Sequence, residues 1–264
     1  MRTIEKTVEP EKVPTKLVNP IDYRLLVLIF CLVGGFQVYL YSLQDADKAD
    51  STISVISAIN PLASSVMSFF VAKRYNHSEV FGKTYFILGV AMLAVFLGEI
   101  TYAIYDYYGM DPYPSIADVF FFAFYPLTFY HLMKNIRFFK PKIKSVTKIL
   151  IILATVLNVT IYSILSFQKL EEANFDYYYG LFYVISAAAV LSTAVLGVTV
   201  FRQGVLGTAW LILTIGIALI TFADSWYSYL ETFDQYDLLH PVNLLWYSGY
   251  WILTYALYKH RDTI

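Results

Sequence analysis

Eight apolar stretches, each close to the length a helix needs to cross a bilayer, restrict this chain more than any other feature. They lie near 23–43, 52–72, 84–105, 116–134, 147–167, 179–201, 208–230 and 242–258. About 20 mostly apolar residues span about 30 Å of hydrocarbon as a helix. In that medium every backbone N–H and C=O must be bonded within its own segment, so single stretches of this kind fold as helices. Composition agrees, with 58% hydrophobic and 15% charged residues. A soluble domain has about 45–50% and about 25% respectively. The expectation is an all-α, polytopic membrane protein of eight transmembrane helices.

The charges are sorted along the chain. Basic residues collect on the cytoplasmic side of membrane helices. If the N-terminus is inside, 17 of the 19 basic residues fall in cytoplasmic segments, and only Lys48 and Lys169 fall outside. The outer loops are acidic, holding Asp45, Asp47, Asp50, Asp106, Asp111, Glu171, Glu172, Asp176, Glu231, Asp234 and Asp237. They either gather cations or are solvated turn residues. This predicts a multi-pass protein of the cell membrane with both termini cytoplasmic. Residues 1–21, polar and containing Pro10, Pro14 and Pro20, are expected as a cytoplasmic tail. They have no cleavage-site pattern, so the first apolar stretch is expected to be retained. The one cysteine, Cys31, permits neither an internal disulfide nor a cysteine metal site.

The sequence also repeats itself. Gly98-Glu99-Ile100-Thr101-Tyr102 recurs as Ala223-Asp224-Ser225-Trp226-Tyr227, 125 residues later. At the same offset Asp106 pairs with Glu231, Asp118 with Asn243, Tyr125 with Tyr250, Tyr130 with Tyr255 and Lys134 with Lys259. Weaker likenesses relate Gln37–Ser42 to Asn158–Ser163 and Ile56–Ala58 to Ile185–Ala187. Residues 22–138 and 139–264 are therefore expected to be two four-helix repeats. An even number of spans gives both the same orientation, with a pseudo-twofold axis along the membrane normal and any ligand site between the halves.

Glu99 and Asp224 stand at matching depths, several residues from the outer ends of their helices. A carboxylate there is costly, so it faces the bundle interior or a watery cavity. Tyr102 and Asp106 share the face of Glu99, as Tyr227 and Glu231 share that of Asp224. The functional reading is an outward-facing ligand pocket formed by these six residues with Asp118 and Asn243. The alternative is that each carboxylate bonds a neighbouring hydroxyl and fixes helix packing. Ser115 to Asp118 forms a capping box, and His240-Pro241-Val242-Asn243 places proline at the first helical position. His131 is expected as a packing or interfacial residue, and Ser186–Ala189 as a close helix contact. No motif for phosphate, zinc, nucleotide or nucleic acid occurs, so no cofactor, metal or nucleic-acid partner is expected.

The motifs around Gly98, Glu99 and Tyr102, then Pro112 to Phe120 and Tyr125-Pro126-Leu127, resemble multi-helix membrane regions that precede bacterial diguanylate cyclases and histidine kinases. Asn243 to Trp246 with Gly249-Tyr250 resembles the last helix of those regions. The resemblance implies a membrane sensory or ligand-binding module. Because the sequence ends at Ile264, a separate cytoplasmic signalling partner would read it. A second resemblance is to the lysoplasmalogenase family, carried by Phe222-Ala223-Asp224-Ser225 with Trp246 and Tyr247. It implies a membrane lipid hydrolase with Glu99 and Asp224 as its acid and base, although Glu99 stands where that family has aspartate. A small-solute transporter is the third alternative.

Overall fold

The computed structural model describes residues 21–43, 46–76, 78–139, 143–201, 207–237 and 239–261. Residues 1–20 of the expected tail, with Asp45, Lys140, Lys142 and Arg202, lie outside the described residues. Among those described, the chain is all-helical: α1 Tyr23–Ser42, α2 Ala46–Arg74, α3 Phe81–Tyr107, α4 Ile116–Phe138, α5 Ser145–Leu170, α6 Phe175–Phe201, α7 Gly207–Thr232 and α8 Val242–Arg261. Helices α1 to α7 are each long and apolar enough to cross a membrane, the pattern of a multi-pass membrane protein.

Local chemistry sets the helix ends. The Asp22 side chain accepts from the Arg24 amide and starts α1. Ser115 and Asp118 form the capping box of α4. Glu171 closes α5 in the left-handed region at φ 61°. At the start of α8 the Val242 amide donates to His240 Nδ1 over 3.1 Å, so the histidine caps the turn that Pro241 opens.

Six helices pack in a closed circuit, in which α2 touches α3 and α8, α3 touches α4, α4 touches α6, α6 touches α7, and α7 touches α8. Outside it, α1 lies on α8, and α5 lies on α6 with a lighter contact to α7. The loops gather at two ends. Tyr75, Phe81, Phe139 and Trp210 meet at one end, together with the basic residues. At the other, Tyr113 bonds Asp176, and Lys169 pairs with Asp234 at 2.9 Å among the acidic residues. We call these the basic and the acidic ends.

Packing explains why α8, unlike α1 to α7, is not apolar enough in sequence to stand out as a membrane span. Among its described side chains only Trp251 and Tyr258 are exposed, because α7, α2 and α1 enclose it. Its polar Asn243, Ser248, Lys259 and His260 are buried among protein rather than lipid. The reverse holds for α5, where Tyr162 and Ser166 are the buried residues and much of the remainder is exposed apolar surface. The tightest seam joins α7 to α8. A Cβ on Gly216 would stand 2.9 Å from the Gly249 carbonyl oxygen and from the Leu253 amide.

Candidate carboxylate and tyrosine site

Asp224 sits about two-thirds of the way along α7 and points into the circuit. Trp246 Nε1 donates to one of its oxygens over 2.8 Å and the Tyr125 hydroxyl donates to the other over 3.2 Å. Three helices, α4, α7 and α8, are thereby tied to one carboxyl group. The ring of Tyr227 packs on Trp246 at 5.5 Å and on Tyr236 at 4.8 Å, and so closes the indole from the acidic end. Two donors on two oxygens fix the rotamer of Asp224 and satisfy both acceptors.

Glu99 on α3 is held differently. Among the described residues no hydrogen bond or ion pair reaches its carboxyl group, which is half-buried. The residue one position earlier, Gly98, carries the ring of Phe121 against its backbone. Phe121 precedes Trp246 by 125 residues, and a phenyl ring has no N–H to offer. Four phenols, those of Tyr102, Tyr236, Tyr247 and Tyr250, lie within electrostatic reach of Glu99. Tyr250 lies within reach of both Glu99 and Asp224, so the two acids share one neighbour.

The remaining candidates divide into two groups. Tyr102, Tyr227 and Glu231 gather at the acidic end, with Tyr102 within electrostatic reach of Glu99. Tyr227 and Tyr102 are each within electrostatic reach of Glu231 and of one another. Tyr102 and Glu231 are exposed, as is Asp106 at the tip of α3. Asp118 belongs elsewhere. It accepts from the Ser115 amide at 2.7 Å and from the Tyr179 hydroxyl of α6, which makes it both a cap and a strut between α4 and α6. Asn243 is buried, and its carbonyl oxygen accepts from Tyr236 at 3.4 Å. His131, fully buried with Nδ1 on the Thr84 carbonyl at 2.9 Å, is a packed residue.

Sequence reasoning did not assign Trp246, Tyr125, Tyr236 or Tyr250 to the site. The 125-residue pairing of Tyr125 with Tyr250 was a usable signal, because both stand one helix away from an acid. For Tyr236 no sequence signal exists, since a loop residue is placed only by the fold. Burial holds the Tyr236 phenol above its ordinary range, and the charges of Tyr247 and Glu99 raise it further. Burial likewise raises Tyr113, with its hydrogen bond to Asp176 adding to the effect.

Two grooves lie elsewhere. One, of about 510 Å³, runs between α5, α6 and α7 past Asn158, Ser192 and Trp226. The other, of about 460 Å³, is bordered by Tyr41, Asp50, Asp237 and His240 at the acidic end. Neither is lined by Glu99 or Asp224. Comparison with known proteins finds no matching family model, no matching curated protein and no matching solved structure.

Proposed function

We propose that the chain is an integral membrane ligand-binding module of the sensory kind, and that its ligand is a small organic cation held by Glu99. One observation carries this reading: of two acids at matching places, Asp224 is bonded on both oxygens and Glu99, among the described residues, on neither. A carboxylate kept in the membrane without a partner is costly and marks a site. Its phenol neighbours would add cation–π attraction to the ion pair, the combination that recognises ammonium groups. Asp224 then has a positioning role, holding α4, α7 and α8 so that Tyr250 faces Glu99. A panel of primary, quaternary and diamine compounds, added to the protein in detergent, tests the proposal. At least one should raise the thermal midpoint of the wild type and fail to raise that of Glu99→Gln. No response to any amine would overturn it.

In this reading all eight helices span the bilayer, with the acidic end outside and both termini in the cytoplasm. Cysteines placed at Ala46, Gly109, Leu170 and Tyr236 should react with an impermeant thiol reagent on intact cells. Those at Ser78 and Pro141 should react only after permeabilisation, and external labelling of the cysteine at Pro141 would contradict the orientation. The duplication has support in the neighbour relations. Exchanging α2, α3, α4 with α6, α7, α8 turns the six-helix circuit into itself. Tyr85 and Trp210, 125 residues apart in sequence, lie against each other with ring centroids at 5.6 Å, as residues beside a pseudo-twofold axis should. The outer helices do not follow, since α1 lies on α8 while α5 lies on α6.

One feature favours the lipid-hydrolase alternative. Two nearby carboxyl groups in unlike surroundings are what a general acid and base require. Turnover of a vinyl-ether lysolipid, lost in both Glu99→Gln and Asp224→Asn, would establish that alternative in place of the sensory one.

A further inference from the structure

A buried polar atom left without a partner costs about 1–3 kcal/mol. Nearly all such atoms are satisfied by protein or by internal water. Inside the helix circuit a set of them has no partner among the described residues: both amide atoms of Asn60, the hydroxyls of Ser68, Thr128 and Tyr85, and Nε2 of His131. These side chains are at most 2% exposed. They are also ordered in space. Asn60, Ser64 and Ser68 recur every fourth residue along one face of α2, and Ser64 donates to the Tyr250 carbonyl at 3.1 Å and meets Thr254 at 2.8 Å. On α4, Thr128 stands one turn beyond Tyr125, whose hydroxyl is on Asp224, and His131 stands one turn beyond Thr128. The α4 stripe thus starts at Asp224, the α2 stripe passes Tyr250, which is within electrostatic reach of both acids, and both stripes run toward the basic end.

The stripes stop at an aromatic barrier. The ring of Tyr85 lies 5.3 Å from His131 and 5.6 Å from Trp210. His260 packs on both barrier rings, at 5.5 and 4.9 Å. Phe81 and Phe139 back Trp210 on the side of the basic end.

We propose that this interior is hydrated and forms a proton path from Glu99 to His131, with the Tyr85 and Trp210 pair as its gate at the basic end. In the step, the O–H bond of the Glu99 carboxyl breaks and leaves a carboxylate. Water molecules bonded to the stripe pass the proton on by exchanging O–H bonds. A new N–H bond forms at His131 Nε2, giving an imidazolium. Nε2 is the receiving atom because Nδ1 faces the Thr84 carbonyl, which can only accept, so Nδ1 carries the hydrogen of the neutral ring. Tyr85 and His260 are the other titratable groups beside it. Release to the second side needs the gate rings to part. This path does not depend on the identity of any ligand at Glu99.

The full chain, reconstituted in liposomes that enclose a pH-sensitive dye, is driven by a potassium gradient with valinomycin. Trp210→Ala should admit protons at least about tenfold faster than the wild type, as removal of a hydrophobic constriction does. Adding Glu99→Gln or His131→Leu should return the flux to the wild-type level. A Trp210→Ala flux equal to that of protein-free vesicles, or one indifferent to the second substitution, would overturn the proposal. Because Trp210→Ala could compromise the fold, the wild type is also probed by radiolytic footprinting, which modifies side chains touching water. Tyr85 and His131 should be modified despite their burial. Modification of exposed Tyr107 and Tyr108 with none at Tyr85 or His131 would overturn it equally.

Discussion

Replacing Gly216 with valine is expected to abolish or severely weaken the fold, while Gly34→Ala leaves it intact. Both glycines lie within apolar helices, and their sequences give no reason to treat them differently. Their surroundings do. Even the first carbon of a side chain at Gly216 would press on backbone atoms of Gly249 and Leu253 at 2.9 Å. Backbone cannot rotate away as a side chain does, so α7 and α8 must separate. A Cβ on Gly34 would meet nothing from beyond its own stretch of helix within 4 Å among the described residues. Overpacking typically costs about 1–3 kcal/mol, and a β-branched side chain against backbone belongs at the upper end or beyond. At Gly34, alanine in place of glycine gains up to about 1 kcal/mol of helix propensity. Thermal midpoints of the purified proteins in one detergent decide the matter, and equal midpoints for the two variants would contradict the close α7–α8 seam.

The second large effect concerns the two acids, whose alanine variants should move stability in opposite directions. Asp224→Ala leaves the Tyr125 hydroxyl and the Trp246 N–H without the acceptor each now has. At about 1–3 kcal/mol for each orphaned donor, the loss is among the largest one substitution can cause here. Asp224→Asn keeps one acceptor oxygen and should lose much less. Glu99→Ala removes a half-buried carboxyl that bonds nothing among the described residues, so the variant should be as stable as the wild type or more so. That is the signature of a residue kept for function at a cost in stability. If Glu99→Ala proved as damaging as Asp224→Ala, Glu99 would be a structural residue.

Much of the helical framework was legible in the sequence, because apolar length and the sorting of charge are local properties. The capping box at Ser115 and Asp118 was legible for the same reason, as its partners are three residues apart. The hydropathy of α8 gave a weak signal, and the fold supplies the cause: a helix enclosed by three others has little surface for lipid to meet. The pairing of the two acids by position was visible, but their inequality was not. It arises from a tryptophan against a phenylalanine in the facing helix, and those facing residues become relevant only when α8 meets α7 and α4 meets α3. Tyr236 entered the site from a loop, where no periodicity marks it. The unpartnered interior of α2 and α4 was equally hidden, since Asn60 and Thr128 look like ordinary polar breaks until their surroundings are known.

The central claim is that Glu99 is the ion-pairing group for a cationic ligand and Asp224 its support. Calorimetric titration of the most stabilising amine into wild type, Glu99→Gln and Asp224→Asn tests it most directly. A charge-assisted bond is worth about 1.5–3 kcal/mol, so Glu99→Gln should weaken binding by about tenfold to a hundredfold. Asp224→Asn should change it only a few-fold. Unaltered affinity in Glu99→Gln, or a greater loss in Asp224→Asn, would contradict the account.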